Sequence, residues 1–503
     1  MQPIDIIIIG SGIGGLVCAN LLAKEGYTVC VLEKNRQTGG CLQIFSRDKR
    51  IFDSSVHYIG GLGKGQNLYQ IFHWLGIMDQ LKLEKMEESA FDKILIGNDP
   101  VEYPLAQGYE RFKENLLLHF PDESAAIRNY SEALQSVCGK FPLYNLRSGG
   151  QYSEKQEVLE IDAKEFIDSL TANPKLRSVL AGNNILYAGE GGKTPFYIHA
   201  LVTNSYIESS WKCINGGSQI ARLLAKNIRA LGGMVLTGKK VTHIQEEGGR
   251  IASVRTADGG DYKAQIFISA IHPDQALQML PTSQLRPAFR RRMHQLENSV
   301  SCFSINISLK KNSFPYLRHN CYWHREGRTW DMQQYTKPEW PLGYALFTSP
   351  GIGTDQYAET LSILTYMRTE ELSPWASTFH TDPPSAGRGE SYEQFKAGRA
   401  EILLKLVQER FPQLENAIQS CYIATPLSYR DYLGTSDGSL YGIAKDSKDP
   451  VKTLISPKTK LPNFYFTGQN LNLHGILGAS ITALATCNEI LGNESLTDKI
   501  ANA

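Results

Sequence analysis

No sign of charge dominates this chain of 503 residues: 52 Lys and Arg stand against 51 Asp and Glu, a net charge of +1. Without a basic excess, a general nucleic-acid surface is not expected. Cysteine is sparse and unpatterned. There are nine, an odd number, and no pair is spaced C-x-x-C, so a disulfide framework and a clustered metal site are both set aside. Buried small apolar residues in a reducing, cytoplasmic compartment are expected instead. There is no internal repeat and no low-complexity tract. Long apolar runs are lacking too. Asp, Glu, Lys and Arg are missing from Leu461 to Asn488, but Asn463, Gln469, Asn470, Asn472 and His474 interrupt the first half. The apolar remainder, Ile476 to Cys487, falls short of the ~20 residues of a membrane span. It predicts a buried loop followed by a buried helix. The opening MQPIDIIIIG has no basic lead and only a short apolar stretch, so it is not expected to act as a secretory signal.

What is present is ample core material: 42% of residues are hydrophobic, and the length suits two or three domains at roughly 100–200 residues each. The run Ile6 to Ile9 is β-branched and bounded by Gly10, as for a parallel strand buried on both faces. Gly10-Ser11-Gly12-Ile13-Gly14-Gly15 follows, then a helical stripe of Leu16, Ala19, Leu22 and Ala23, then a second apolar strand ending at Glu33. This is a right-handed βαβ unit. Gly10, Gly12 and Gly15 fit G-x-G-x-x-G: the first allows a tight turn, the second a close approach to a pyrophosphate, the third close helix–strand packing. Phosphate would lie on the helix N-terminus, and Glu33 is placed to accept ribose hydroxyls. The alternative is a plain βαβ unit with a glycine-rich turn.

Helices are expected over 66–85 and 109–140, and over most of 155–210 with breaks at Pro174 and Pro195. A further helix follows Gly216-Gly217, then three or four short strands to about residue 270. Alternating strands over 300–370 predict a sheet with one buried face, and the aromatics at 314–330 supply either core or the walls of an apolar slot. A polar loop is expected at 375–392, a helix at 392–411, and a strand, glycine loop and helix near the C-terminus.

The fingerprint alone does not separate NAD from FAD. Gly39-Gly40, just past the second strand, together with FDSSVHYIGG (52–61), TPLSYRDYLGTSDGSLYGIAKD (425–446) and FYFTGQNLNLHGILGAS, resembles the FAD-dependent amine-oxidase/phytoene-desaturase superfamily. Within it, the chain is most similar to the retinol saturase and carotenoid isomerase branch. The resemblance runs through both ends and the 211–275 block and is weak over about 280–420. It implies FAD held by Gly10, Ser11, Gly12, Ile13, Gly14, Gly15, Glu33, Lys34, Gly39 and Gly40. It adds Gly216-Gly217 and Val241 from a second cofactor stretch, and Gly468, Asn470 and Ile476 from a third. The acidic residue the family usually has after Gly468 is replaced by Gln469 and Asn470. NAD(P)H is a candidate electron donor, although no second complete fingerprint offers it a domain.

These features together predict an α/β fold with a discontinuous Rossmann-like FAD-binding domain (1–95, 211–285, 440–503). An α+β substrate domain with an antiparallel sheet takes 96–210 and 286–439, with ligand between the two. The resemblance implies a lipophilic polyene or isoprenoid substrate whose C=C bonds are saturated, desaturated or isomerised by hydride transfer at flavin N5. The rivals are a flavin amine oxidase and a non-catalytic prenyl-binding escort protein. His57 and His474 are candidate proton donors, as neutral or cationic imidazoles; structural hydrogen bonding is the other reading of each. Arg286, Arg290, Arg291 and Arg292 form either a solvated helix face or a peripheral contact with an anionic membrane. Oligomeric state is not encoded legibly.

Overall fold

The computed structural model describes residues 3–149, 152–351, 354–379 and 387–503. Of the polar loop expected at 375–392, residues 380–386 lie outside the described residues.

A β-branched run without a polar face is stable only when covered on both sides. β1 (Ile6–Ile9) meets that condition, with every residue at most 3% exposed. It is the middle of a five-stranded sheet with β2 (Val29–Leu32), β3 (Met234–Leu236), β4 (Ile266–Ser269) and β5 (Phe464–Phe466), in spatial order 3-2-1-4-5 and parallel throughout. Each buried isoleucine contributes roughly 1.5–3 kcal/mol of apolar transfer. Helix α1 (Ile13–Lys24) connects β1 to β2, α2 (Ser218–Ala230) leads into β3, and α3 (Gly475–Leu491) follows β5. α1 packs on both other helices. Where it crosses α3, the sulfurs of Cys18 and Cys487 lie 3.5 Å apart. An antiparallel meander, Val241–Glu247, Arg250–Thr256 and Asp261–Lys263, is inserted between β3 and β4. The stretch therefore holds five strands, where three or four were expected.

The second sheet has seven strands, in the order Ile418–Ala424, Ser301–Leu309, Thr354–Met367, Gly343–Gly351, Asn320–His324, Asp92–Ile96 and Tyr103–Leu105. It is antiparallel at every pair except Asn320–His324 with Asp92–Ile96. Alternation predicted one wet face, yet all nine residues of Ser301–Leu309 are buried. Two of its polar positions are paired internally: Ser304 Oγ lies 3.1 Å from the Tyr429 hydroxyl, and Asn306 Oδ1 accepts from Ser362 Oγ at 2.9 Å.

Two helix expectations change. The helix over 66–85 stops at Trp74, because Gly76 turns the chain at φ +72°, and Leu83–Lys85 pairs as a strand with Ser210–Cys213. The 109–140 helix divides into Tyr109–His119 and Ser124–Gly139 around Pro121. The stretch 155–210 is interrupted at both prolines as expected: Ala163–Leu170 ends before Pro174, which opens Pro174–Leu180, and Phe196–Glu208 starts after Pro195, since proline is suited to a helix start. In the arginine run, Arg290 donates to the carbonyls of Leu277, Leu280 and Thr282, and Arg292 to those of Lys452 and Leu454. Those two side chains hold the fold together. No helix among the described residues is long and apolar enough to cross a membrane.

Candidate active site

The turn after β1 is built from glycines that do different work. A Cβ on Gly15 would run into the carbonyl oxygen of Gly10, and one on Gly14 would lie 2.6 Å from Cα of Gly468. These two let α1 sit hard against the sheet and the loop after β5. Gly12 is the opposite case, because no heavy atom lies within 4 Å of where its Cβ would be. It opens α1 with extended φ/ψ, and no side chain caps the first-turn N–H groups. The Gly39 N–H donates to Ser11 O at 2.9 Å, and a Cβ on Gly40 would lie 3.3 Å from Gly12 Cα. Glu33, 5% exposed, receives Ser11 N–H at 2.9 Å and Ser11 Oγ–H at 2.6 Å on one oxygen, and Asn35 N–H at 2.8 Å on the other. A bare helix N-terminus under open space, rimmed by a carboxylate, fits a pyrophosphate and its ribose.

Not every expected cofactor residue joins this cradle. Lys34 sends its ammonium to Asp431 O at 2.9 Å. Val241 is buried in the core, and Lys239, two residues before it, donates its N–H to Glu33 O at 2.7 Å. Gly216-Gly217 opens α2 as expected, with the Gly217 N–H on Asp53 Oδ1 at 2.7 Å. Burial pushes Asp53 up to about 7, that hydrogen bond opposing it.

A cavity of about 1010 Å³, its mouth included, opens beside the first turn of α3, where Gly475, Ile476, Leu477 and Gly478 form part of its wall. The α3 N-terminus carries no side-chain cap, so its dipole faces that space. Apolar side chains such as Val56, Ile185, Leu201 and Leu364 dominate the lining, which includes no Asp, Glu, Lys or Arg among the described residues. Two buried polar atoms beside it, Ser55 Oγ and Asn470 Oδ1, have no partner. Gln469 lines the cavity and Asn470 does not.

Both candidate histidines line this cavity. His57 stacks on Phe347 with ring centroids 4.1 Å apart, and burial, then Lys212, push it down to about 3. His474, whose Nε2 lies 3.2 Å from Leu186 O, is pushed down to about 4, chiefly by burial. Of the neutral and cationic forms expected for each, this favours the neutral imidazole at neutral pH. Of the aromatics in 314–330, only Tyr322 reaches the cavity; Trp323 alternates to the other face and stacks on Tyr344 in the second core.

Sequence reasoning missed the polar cluster behind the wall. The Tyr58 hydroxyl donates to Asp92 Oδ2 at 2.8 Å and lies 2.7 Å from the Tyr322 hydroxyl. Asn320 Nδ2 donates to Asp92 Oδ1 at 2.9 Å. Lys212, pushed down to about 8 mainly by burial, gives its ammonium to the carbonyls of Leu317 and Thr348, both at 3.0 Å. The one local signal was a charge at Asp92 opening an apolar strand; its partners lie 34 and 228 residues away in the chain.

Comparison with known proteins follows the same lines. The profile described as flavin containing amine oxidoreductase matches residues 13–339, more than half of the chain. An all-trans-retinol 13,14-reductase of Rattus norvegicus is 27% identical, over 99% of this chain and 87% of its own. A chloroplastic prolycopene isomerase 1 of an Oncidium hybrid cultivar is 25% identical, over 88% and 75%. Among solved structures, putrescine oxidase bound to putrescine aligns with a TM-score of 0.62 at 13% identity, over 98% of this chain and 100% of that one.

Proposed function

The chain belongs to the flavin-containing amine oxidoreductases, and from that premise we propose that it is an FAD-dependent enzyme acting on a lipophilic polyene or isoprenoid. The observation that carries the substrate class is the uncharged cavity wall: a cationic amine would enter it without a counter-ion, at a large desolvation cost. The reductase and isomerase relatives act, by their names, on retinol and prolycopene.

When bound, the flavin supplies hydride chemistry at N5. The chain's own residues bind and orient. The bare N–H groups in the first turn of α1 would take the pyrophosphate, with Gly10, Ser11, Gly39 and Gly40 shaping the turn beside it, and Glu33 would hold the ribose. The α3 N-terminus at Ile476 favours negative charge at the flavin's edge. The apolar walls exclude water from the reacting carbons. NAD(P)H is the proposed electron donor. The cofactor-binding part is proposed to run over 1–91, 211–285 and 440–503, since Asp92–Ile96 is a strand of the seven-stranded sheet. A cytoplasmic location, with at most peripheral membrane contact, is part of the same reading.

The test is anaerobic. The flavin is reduced chemically, and carotenoids or retinoids are added. Reoxidation with a blue-shifted polyene means saturation, while a rearranged polyene over still-reduced flavin means isomerisation. Inert polyenes, with amines that reduce the oxidised protein and peroxide formed in air, would replace this reading by an amine oxidase. A protein that binds no flavin would leave the escort reading.

A further inference from the structure

Three oxygen atoms stand in a row behind the cavity wall. The Tyr322 hydroxyl is 2.7 Å from that of Tyr58, which is 2.8 Å from Asp92 Oδ2. Both tyrosines line the cavity, whereas Asp92 is fully buried behind them. We infer that Tyr322 exchanges the proton with the substrate carbon, and that Tyr58 and Asp92 are positioning residues that set its donor direction and restore its proton. This rests on the polyene reading above.

The argument is one of hydrogen-bond direction. An ionised Asp92 only accepts, so Tyr58 donates to it, Tyr322 donates to Tyr58, and the row points away from the cavity. A protonated Asp92 reverses the row. It donates to Tyr58, Tyr58 donates to Tyr322, and the Tyr322 O–H is left facing the cavity. A proton on Asp92 is thereby presented at the wall, two hydrogen bonds away. The neighbouring candidates are unsuited. His57 and His474 are neutral at physiological pH, and the Lys212 ammonium is committed to two carbonyls.

In saturation, a C–H bond forms at the carbon beside the one that receives hydride. The Tyr322 O–H breaks as its oxygen takes the Tyr58 proton, and Tyr58 takes that of Asp92. The electron pair arrives with the hydride, so the row carries protons only. Asp92 ends as a carboxylate and is reprotonated from solvent water. In desaturation every transfer runs backwards. A lone phenol would be a poor acid, since burial and Asp92 hold Tyr58 far above its ordinary range, and Tyr322 likewise. The row instead leaves the negative charge on the carboxylate. Burial raises Asp92 to about 7 against the pull of Asn320, Tyr58 and Lys212, so both directions of the row are populated near neutrality. The row is faced by Tyr206, Tyr441, Asn320, Cys321 and Lys212, and Lys212 in turn faces Glu84.

Tyr322→Phe keeps the ring and removes the hydroxyl. In the FAD-loaded protein it should bind flavin and polyene like the parent, yet slow a single anaerobic turnover on the order of 10²-fold or more. Asp92→Asn, or Tyr58→Phe if that variant folds poorly, should slow turnover and flatten the fall in rate above neutral pH. Independently of turnover, infrared spectra of the substrate-free parent should show a protonated carboxylic-acid band that fades with a midpoint at about 7 and is missing in Asp92→Asn. Polyene turnover undiminished in Tyr322→Phe, or a parent without that titrating band, overturns the relay alone. A parent inert to polyenes but reduced by amines overturns the functional reading, and the relay with it.

Discussion

The turn at the start of α1 and the wall of the cavity are made of different material. Around Gly12 the working surface is backbone, with N–H groups bared by the lack of a side chain and a single carboxylate at the rim. In the cavity it is side chain, with Phe347, Tyr58 and Tyr322 brought in from strands and loops far apart in sequence. A backbone site is specified by short spacing, and an added atom there either strikes the fold, as at Gly15, or fills the open space over the helix N-terminus, as at Gly12. A side-chain site is specified by topology, and single substitutions there should alter rates and affinities more than the fold.

The sharpest way to test that contrast is within the turn itself. Gly15→Val forces a Cβ into the Gly10 carbonyl and should cost more than about 4 kcal/mol, the range reserved for severe packing or backbone conflict. Urea denaturation measures it, and a loss below 1 kcal/mol would break the comparison. Gly12→Val, three residues away, meets open space. Its apo stability should change by less than about 1 kcal/mol, while the protein emerges colourless after incubation with FAD and desalting. On the side-chain surface, Phe347→Leu removes the ring stacked on His57. Polyene affinity, read by absorbance titration, should fall about tenfold, or ~1.4 kcal/mol, with flavin content unchanged.

The smallest effect is a matter of pH. Burial holds His57 and His199 at about 3, and His324 and His474 at about 4, against an ordinary 6.5. At these four positions the unfolded chain binds more protons between those limits, so they add stability as pH rises across the window and lose it as pH falls, against the smaller opposing share of Asp53 and Asp92, which burial raises to about 7. Thermal melts at stepped pH should show that slope, and His57→Gln should make it shallower without changing the melt at neutral pH.

The difference in material also explains what could be read from the sequence. β1, the glycine turn, α1 and Glu33 were legible because strand, turn and helix are contiguous and each glycine has a local reason. The parallel sheet followed from apolar runs with no polar face. The burial of both faces of Ser301–Leu309 was not legible, because Ser304 and Asn306 read as solvent-facing until Tyr429 and Ser362 are placed opposite them. The hydrogen bonding of Tyr58 was not legible for the same reason: its partners, Asp92 and Tyr322, come from two neighbouring strands of a sheet whose one parallel pairing no local pattern announces. The histidines reached the cavity as expected, but their low proton affinity depends on burial, which spacing does not encode.

The packing of α3 against α1 also dictates the order of events during synthesis. β1 to β4 are complete once residue 269 has been made, but β5 begins only at residue 464. At roughly 5–20 residues per second, the intervening stretch takes on the order of ten to forty seconds to translate. Throughout that interval β4 offers an unpaired strand edge, and α1 lacks the cover that α3 later gives it around Cys18. A nascent chain in that state presents the kind of edge and apolar face that invites wrong partners. Early arrival of the dinucleotide would not close it, because the missing wall is protein. Helix α3 is therefore what turns a half-sheltered sheet into a finished one, and chaperone dependence during translation should fall sharply once it has emerged.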